Sequence, residues 1–223
     1  MVRVALNRRC DCYIIPEFHP QVLDALRQPL ETGETVIARA NHRISYPSRI
    51  QLIAAMNPCR CGRAGEPGYV CRQGRACAER YQARISGPML DRIDLQIEVP
   101  AVSAADLVLP QASEGSAEVR MRVTAARRAQ TERYAALGHP RIRTNAECDG
   151  AMLEEIAAPE PAGLTLLRDA AEALALSARG YHRTLRVART LADLDGESRV
   201  ARIHIAEALS YRGETLRRAQ AAA

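Results

Sequence analysis

The sequence predicts an α/β segment followed by an all-helical segment, so that helix dominates the chain overall. Alanine and leucine are abundant among the 223 residues, with no tryptophan and one phenylalanine. This composition is typical of helices packed through aliphatic side chains. Two candidate strands, residues 51–56 and 95–99, precede Pro100. Beyond Pro100 the apolar spacing favours helices, and the prolines between residues 100 and 110 indicate a domain boundary.

The first half begins with a helix whose start and end are marked by local residues. Pro20 suits a first helical turn, where its missing N–H has no partner to lose, and Thr32-Gly33 ends the helix. The nearly continuous apolar run 51–56, bounded by Asn57-Pro58, is typical of a strand buried on both faces. We expect, in order, a helix over 20–32, a hairpin over 34–46 with its tip at 40–42, a strand over 51–56, helices over 79–85 and from Pro88, and a strand over 95–99.

The second half is predicted to be a bundle of helices. Ser177 can cap a helix that runs to Leu194 through its side-chain oxygen, and Asp195-Gly196 ends that helix. The five helices are expected over 113–137, 145–156, 161–176, 178–194 and 202–211.

All 31 basic residues are arginine, and the lack of lysine excludes two kinds of chemistry. A Schiff base and a G-x-x-x-x-G-K phosphate loop both require a lysine side chain. No stretch approaches the roughly 20 apolar residues of a membrane span, and residues 1–15 lack the apolar region of a signal peptide. We therefore expect a cytoplasmic chain with no membrane partner.

Basic charge is concentrated between Arg39 and Arg92, where ten arginines accompany three acidic residues. Such a segment creates a local positive field that attracts phosphates. A solvated basic surface is the alternative interpretation.

Four of the seven cysteines lie within residues 59–77, with the spacing C-x-C-x₉-C-x₅-C. In a cytoplasmic chain this grouping indicates metal binding or free thiols more than disulfides. Four thiolates could surround a tetrahedral Zn²⁺ whose binding would order the loop, although the first spacing departs from the usual C-x₂₋₄-C. Free thiols and redox pairing remain alternatives. The candidate ligands are Cys59, Cys61, Cys71 and Cys77, whereas Cys10, Cys12 and Cys148 are interpreted as unrelated to them.

Several motifs together resemble the magnesium-chelatase-like AAA+ ATPases of the ComM/YifB type. The matching segments are residues 16–34, 40–43, 55–59, 84–94 and 185–194. The resemblance implies a ring-forming ATPase with an α/β nucleotide-binding core and a helical lid, linked to DNA processing in natural transformation and to branch migration. It implies three parts: a divergent or replaced start over 1–15, the C-terminal half of the core over 16–102, and the lid over 103–223.

The resemblance also implies roles for polar residues around the nucleotide. Asn57 matches the first sensor, which orients the attacking water, although Asn-Pro is also an ordinary strand terminator. Arg92 matches the arginine finger that acts on a neighbouring subunit's γ-phosphate, with Arg84 a weaker candidate and pairing with Asp91 or Asp94 the alternative. Arg179 matches the second sensor, ahead of Arg183, and a basic helix face is the alternative there.

Arg39, His42 and Arg43 resemble the pore-facing hairpin of this family. In a ring, such hairpin tips would contact the DNA backbone without reading its sequence. A solvated hairpin is the alternative.

One part of the family pattern is missing. Family members carry an Asp-Glu pair that binds Mg²⁺, but Tyr13 and Ile14 occupy those positions in this sequence. Asp11 is two residues out of register, and two residues of a strand span about 7 Å, too far for its carboxylate to coordinate the same ion. ATP and Mg²⁺ are therefore expected at family level only, and the chain alone is expected not to hydrolyse ATP. Its partners would be a homo-oligomeric ring or a complementary ATPase subunit. A non-enzymatic nucleic-acid-binding module and a relic without function are the competing interpretations.

Overall fold

The computed structural model describes residues 13–39, 42–62, 71, 74–100, 102, 108, 114–148 and 150–212. The chain divides into two compact units, Met1–Ile93 and Asp94–Ala223. The predictions for residues 1–12, including Cys10 and Cys12, lie outside the described residues.

The first unit combines short helices with two small pairs of strands. Strand β1 pairs with β4 in parallel, and β2 pairs with β3 in antiparallel register. A short 3₁₀ turn, Ile15–Glu17, follows β1. The elements are β1 (Tyr13–Ile14), α1 (Pro20–Ala25), α2 (Arg27–Thr32), β2 (Glu34–Arg39), β3 (His42–Pro47), β4 (Ala54–Ala55), α3 (Arg75–Gln82) and α4 (Gly87–Leu90).

The helix predicted over 20–32 is present but broken into α1 and α2 at Leu26. The break has a local cause, because Pro29 has no N–H to donate to the carbonyl of Ala25 and its ring would clash with that carbonyl. The predicted end is confirmed: Gly33 has a φ of 70° and donates its N–H to the carbonyl of Pro29 at 3.0 Å. A left-handed backbone conformation at the end of a helix favours glycine.

The core of the first unit joins the early helices to the later ones. Its buried members are Leu23, Ile85, Met89 and Leu90. Around them pack half-buried apolar residues from the start of the unit, from both sides of β4 and from the residues after α4, namely Phe18, Leu26, Leu30, Leu52, Met56 and Ile93.

Two strand predictions need correction. The buried strand expected over 51–56 is reduced to the two exposed residues of β4, because β1 is its one partner among the described residues. The strand expected over 95–99 is wrong, since residues 94–100, all of them described, contain no strand. The amide of Gln96 donates to the carbonyl of Tyr211, which lies outside any strand. Alternating apolar residues need a neighbouring strand to complete a ladder.

The second unit consists of five α-helices among its described residues. They are α5 (Ser116–Ala136), α6 (Gly150–Ile156), α7 (Pro161–Ala173), α8 (Ala178–Leu194) and α9 (Arg202–Ser210), with a 3₁₀ turn at Asn145–Glu147 before α6. The single helix predicted over 145–156 is thus divided, because Cys148 is extended and Gly150 has a φ of 56°. The predicted cap is confirmed: the side-chain oxygen of Ser177 accepts the N–H of Gly180 at 3.0 Å.

The helices of the second unit enclose an aliphatic core that includes Leu153, Leu167, Leu185 and Ile205. Helices α7 and α9 approach closely at Gly163, where an added Cβ would lie 3.2 Å from Pro159 and 3.4 Å from Ile205. Within the described part of the chain, none of the helices combines the length and apolarity that a membrane crossing requires.

A buried polar network also lies in this unit, centred on the carboxylate of Asp193 in α8. Arg133 of α5 forms an ion pair with this carboxylate, and Arg189 forms another at 2.9 Å. Asn145 donates to the same carboxylate at 2.8 Å and accepts the hydroxyl of Tyr134 at 3.0 Å. Arg189 therefore lies in the interior, only 1% exposed, and does not belong to a basic helix face.

Replacing Asp193 with alanine is expected to lower the free energy of unfolding of the helical unit by about 3–5 kcal/mol. The reason is that removing one member of a buried ion pair leaves its partners charged and uncompensated. Urea titration followed by circular dichroism measures the change. Asp169→Ala, at an exposed position in α7, is the matched control and should stay within about 0.5 kcal/mol of the parent chain. Equal effects at the two sites would contradict the prediction.

Acid should remove the contribution of Asp193. Burial raises the pKa of this carboxyl, but hydrogen bonds from Arg133 and Asn145 and the charge of Arg189 outweigh burial and hold the pKa below its usual value. A depressed folded-state pKa means that the stabilisation is complete above the unfolded-state pKa of about 3.9 and is lost as pH falls. The stability difference between the parent chain and Asp193→Asn should shrink below about pH 4. Urea midpoints at pH 7 and pH 3 test this, and a constant difference would contradict it.

Candidate functional site

The basic hairpin is formed by β2 and β3, and its register places the candidate residues. Arg39 lies directly opposite His42, and Arg43 lies opposite Ala38. All three basic side chains are exposed. The base of the hairpin is closed by the amide of Ser48, which donates to the carbonyl of Gly33 at 2.7 Å. The predicted tip residues 40 and 41 lie outside the described residues, whereas His42 is the first residue of β3.

Asn57 lies two residues beyond β4, the strand that runs parallel to β1. Its side chain is exposed. Strand β1 consists of Tyr13 and Ile14, the positions that the family resemblance reserves for the acidic pair. Neither residue carries a carboxylate, so the donor set does not fit Mg²⁺, which prefers oxygen ligands of that kind.

The cysteine loop brings its thiols together. The sulfur atoms of Cys59, Cys61 and Cys77 all lie within 4.8 Å of one another. Cys71 joins them, because its sulfur is 3.6 Å from that of Cys61. Cys59 and Cys77 are buried, Cys71 is half-buried and Cys61 is exposed. The four predicted ligands therefore lie close together, and the group formed by Cys59, Cys61 and Cys77 could hold a metal ion.

Two similar turns produce this convergence. The amide of Gly62 donates to the carbonyl of Cys59 at 3.0 Å, and the amide of Gly74 donates to that of Cys71 at 2.8 Å. Both glycines have positive φ, 79° and 60°, which other residues adopt at a cost. Each turn thus begins at a cysteine and ends at a glycine three residues later. Cys77 enters from α3, which begins directly after the second turn.

Arg92 follows α4 and is largely buried. It forms an ion pair with Glu31 of α2, and its guanidinium also donates to the carbonyl of Pro88 at 2.7 Å. Asp94, which the sequence suggested as a partner for Arg92, forms an ion pair with Arg183 at 2.5 Å. Arg84, the weaker finger candidate, is exposed.

The two candidates for the second sensor differ in their surroundings. Arg179 lies in the first turn of α8 and is exposed. Arg183 lies one turn further along, is buried, and has its charge neutralised by Asp94. Arg179 is therefore the more accessible of the two side chains.

Sequence reasoning missed Glu31 and the network around Asp193. The only sequence feature that pointed to Glu31 was its place inside the matched segment 16–34. Asp193 likewise lies in the matched segment 185–194, but nothing in its local sequence indicates burial, since its partners Arg133 and Asn145 are 60 and 48 residues away along the chain.

The described residues form a helix-dominated chain with two small pairs of strands, which is compatible with a partial α/β core followed by a helical domain. The family model described as magnesium chelatase, subunit ChlI, matches residues 13–107, and the model for the C-terminal part of subunit ChlI matches residues 113–212. The chain belongs to this magnesium chelatase family, which confirms the resemblance drawn from the motifs.

Curated relatives of this chain include proteins of the ComM and YifB type. The competence protein ComM of Haemophilus influenzae is 43% identical over 206 residues, which are 89% of this chain and 37% of ComM. YifB of Escherichia coli is 39% identical over 199 residues, 89% of this chain and 38% of YifB. An uncharacterised protein of Mycobacterium tuberculosis is 41% identical over 202 residues, 91% of this chain and 39% of that protein. The chain therefore spans less than two fifths of the length of these relatives.

Proposed function

We propose that this chain provides the trans-acting arginine and the helical lid of a ring-forming, cytoplasmic AAA+ ATPase that processes DNA. The observation that carries the proposal is the ordered family match across both units. In this proposal a neighbouring subunit holds the nucleotide, as expected if the chain works in a homo-oligomeric ring or with a complementary ATPase subunit. DNA processing during natural transformation, including branch migration, is the proposed setting.

Arg92 is the proposed arginine finger. A guanidinium can bind phosphate oxygens through two parallel N–H groups. Glu31 and the carbonyl of Pro88 currently occupy those donors. Contact with a neighbour's γ-phosphate would require Arg92 to exchange Glu31 for the phosphate, an exchange of one anionic partner for another.

Asn57 and Arg179 are the proposed first and second sensors of the nucleotide. In an assembly with a complementary ATPase subunit that holds nucleotide, Asn57 would orient the attacking water from the end of β4, and Arg179 would contact the phosphates from the start of α8. Arg183 is the weaker alternative because Asp94 already neutralises its charge. The chain itself is proposed to hydrolyse no ATP alone, since it has no lysine for a phosphate loop and Tyr13 and Ile14 cannot bind Mg²⁺ through carboxylates.

DNA is the proposed partner of the hairpin. Arg39, His42 and Arg43 are exposed around its tip, and they belong to the segment with ten arginines and three acidic residues. Cationic side chains at an exposed tip attract the phosphate backbone of any sequence. The same observation supports a second candidate function, a non-enzymatic DNA-binding module, in which binding by the chain would not depend on nucleotide.

Zn²⁺ is the proposed occupant of the cysteine cluster. Cys59, Cys61, Cys71 and Cys77 supply four sulfur ligands, the set that structural zinc sites use. The loop has few apolar residues, so metal binding would supply the free energy that a hydrophobic core supplies elsewhere. Cys148 is excluded because it is buried in the core of the helical unit.

The finger role predicts rescue in trans. We expect this chain to restore ATP hydrolysis at least tenfold when it is mixed with Haemophilus influenzae ComM in which the arginine matching Arg92 has been replaced by alanine. Arg92→Ala in this chain should abolish the rescue, and Arg168→Ala, at an exposed position in α7, should preserve it. The phosphate released is measured for the mixture and for each protein alone. Turnover by this chain alone that survives Arg92→Ala would contradict the proposal, and loss of rescue with Arg84→Ala but not Arg92→Ala would reassign the finger.

The zinc site predicts one Zn²⁺ per purified chain, measured by inductively coupled plasma mass spectrometry with protein quantified in parallel. Cys61→Ser should lower the zinc content severalfold, because Cys61 is an exposed ligand whose loss opens the site. Cys148→Ala is the control and should retain the metal. A chelator should lower the melting temperature of the parent chain and leave that of Cys61→Ser almost unchanged. Metal-free protein whose four thiols alkylate equally with and without added zinc would contradict the prediction.

A further inference from the structure

The register of the basic hairpin divides its side chains into two faces of different chemistry. Residues directly opposite each other in an antiparallel pair project to the same face, and successive pairs alternate between faces. One face, which we call the Tyr46 face, carries the pairs Thr35–Tyr46, Ile37–Ile44 and Arg39–His42; the opposite face carries Glu34–Pro47, Val36–Ser45 and Ala38–Arg43.

The Tyr46 face is apolar and aromatic towards its base and cationic towards its tip. Ile37, Ile44 and Tyr46 are each about half exposed, at 49%, 50% and 48%. Half-exposed isoleucine and tyrosine side chains at adjacent positions form a contiguous patch of the kind that marks a binding surface. No acidic residue belongs to the three pairs of this face, whereas Glu34 lies on the opposite face and accepts the hydroxyl of Ser45 at 2.7 Å.

We propose that the Tyr46 face binds single-stranded DNA, with Arg39 and His42 on the phosphates and Ile37, Ile44 and Tyr46 against the bases. This inference rests on the proposal that DNA is the hairpin's partner, and it specifies the form of DNA and the residues that contact it. A single strand offers the flat faces of its bases to aromatic and apolar side chains, whereas a duplex keeps those faces stacked on one another. The apolar patch therefore favours the single strand.

Charge complementarity selects DNA over a second copy of the hairpin. Two copies that packed through their Tyr46 faces would bury apolar side chains, but each would also bring in two basic residues and no acid from that face. A polyanion with exposed bases satisfies both ends of the face, the cationic tip through its phosphates and the apolar patch through its bases.

Arg43 has a different role under this inference. It projects from the opposite face, across from Ala38, so it adds to the positive field around the tip without lying beside the bound strand. The three basic residues that the sequence grouped together are therefore unequal, and Arg39 is expected to matter more than Arg43.

The test measures binding of the purified 223-residue chain to a fluorescein-labelled dT oligonucleotide by fluorescence anisotropy across a range of salt concentrations. Tyr46→Ala should weaken binding at least about fivefold at every salt concentration, because stacking does not release counterions. The slope of log affinity against log salt concentration for Tyr46→Ala should match that of the parent chain. Tyr46→Phe keeps the ring and should bind within about twofold of the parent.

The arginines provide the complementary measurement. Arg39→Gln should reduce the magnitude of the salt slope by about 0.7, the value for one phosphate contact to a single strand. Arg43→Gln should change the slope by less than half as much. Arg168→Gln removes the same charge from an exposed position in α7 and serves as the matched control for net charge.

Several outcomes would overturn the inference: unchanged affinity in Tyr46→Ala, equal slope changes in Arg39→Gln and Arg43→Gln, tighter binding to a duplex of the same length, or no measurable binding by the parent chain. A dimer of the parent chain that Tyr46→Ala dissociates, measured by sedimentation, would assign the face to a second copy and would also overturn it. The Arg92 rescue assay separates the two proposals, because it measures hydrolysis in a neighbouring subunit and can succeed while oligonucleotide binding fails.

Discussion

The helical unit depends on the ion pairs and hydrogen bonds that the buried carboxylate of Asp193 accepts. Two arginines and an asparagine converge on it from α5, from α8 itself and from the 3₁₀ turn before α6. Arg189 then extends the network by donating to the carbonyls of Glu197 and Ser198, beyond the end of α8. A charge this deeply buried is tolerable only when each of its oxygen atoms has a partner. The network thereby joins α5, α8 and the 3₁₀ turn before α6 at a single buried point.

The first unit is organised differently, by turns and a small core. Gly33 directs the chain from α2 into the hairpin, and Gly62 and Gly74 each close a turn that begins at a cysteine. These are local backbone requirements, which is why the sequence indicated the end of the helix at Gly33. The four thiols meet because Cys59 and Cys71 each begin such a turn and Cys77 lies in α3, which starts directly after the second turn.

At two sites, the surroundings of a side chain in the structure differ from what its motif suggests. Arg92 lies in a segment that resembles an arginine finger, yet its nearest anionic partner is Glu31 of its own unit. The exposed hairpin carries three basic residues that look equivalent in the sequence, yet the register separates Arg43 from Arg39 and His42. In both cases the residue type was evident from the sequence, and the direction in which the side chain projects was not.

The sequence by itself determined the helical second half, the Ser177 cap, the Gly33 stop, the hairpin and the family, because capping, turn formation and motif spacing are local properties. It did not determine where Pro29 would break the first helix or that residues 95–99 would lack a strand partner. The tertiary structure alone decided the burial of Arg189 and Asp193 and the Glu31 contact of Arg92. Those outcomes depend on residues brought together from distant parts of the chain, and periodicity carries no information about such pairs.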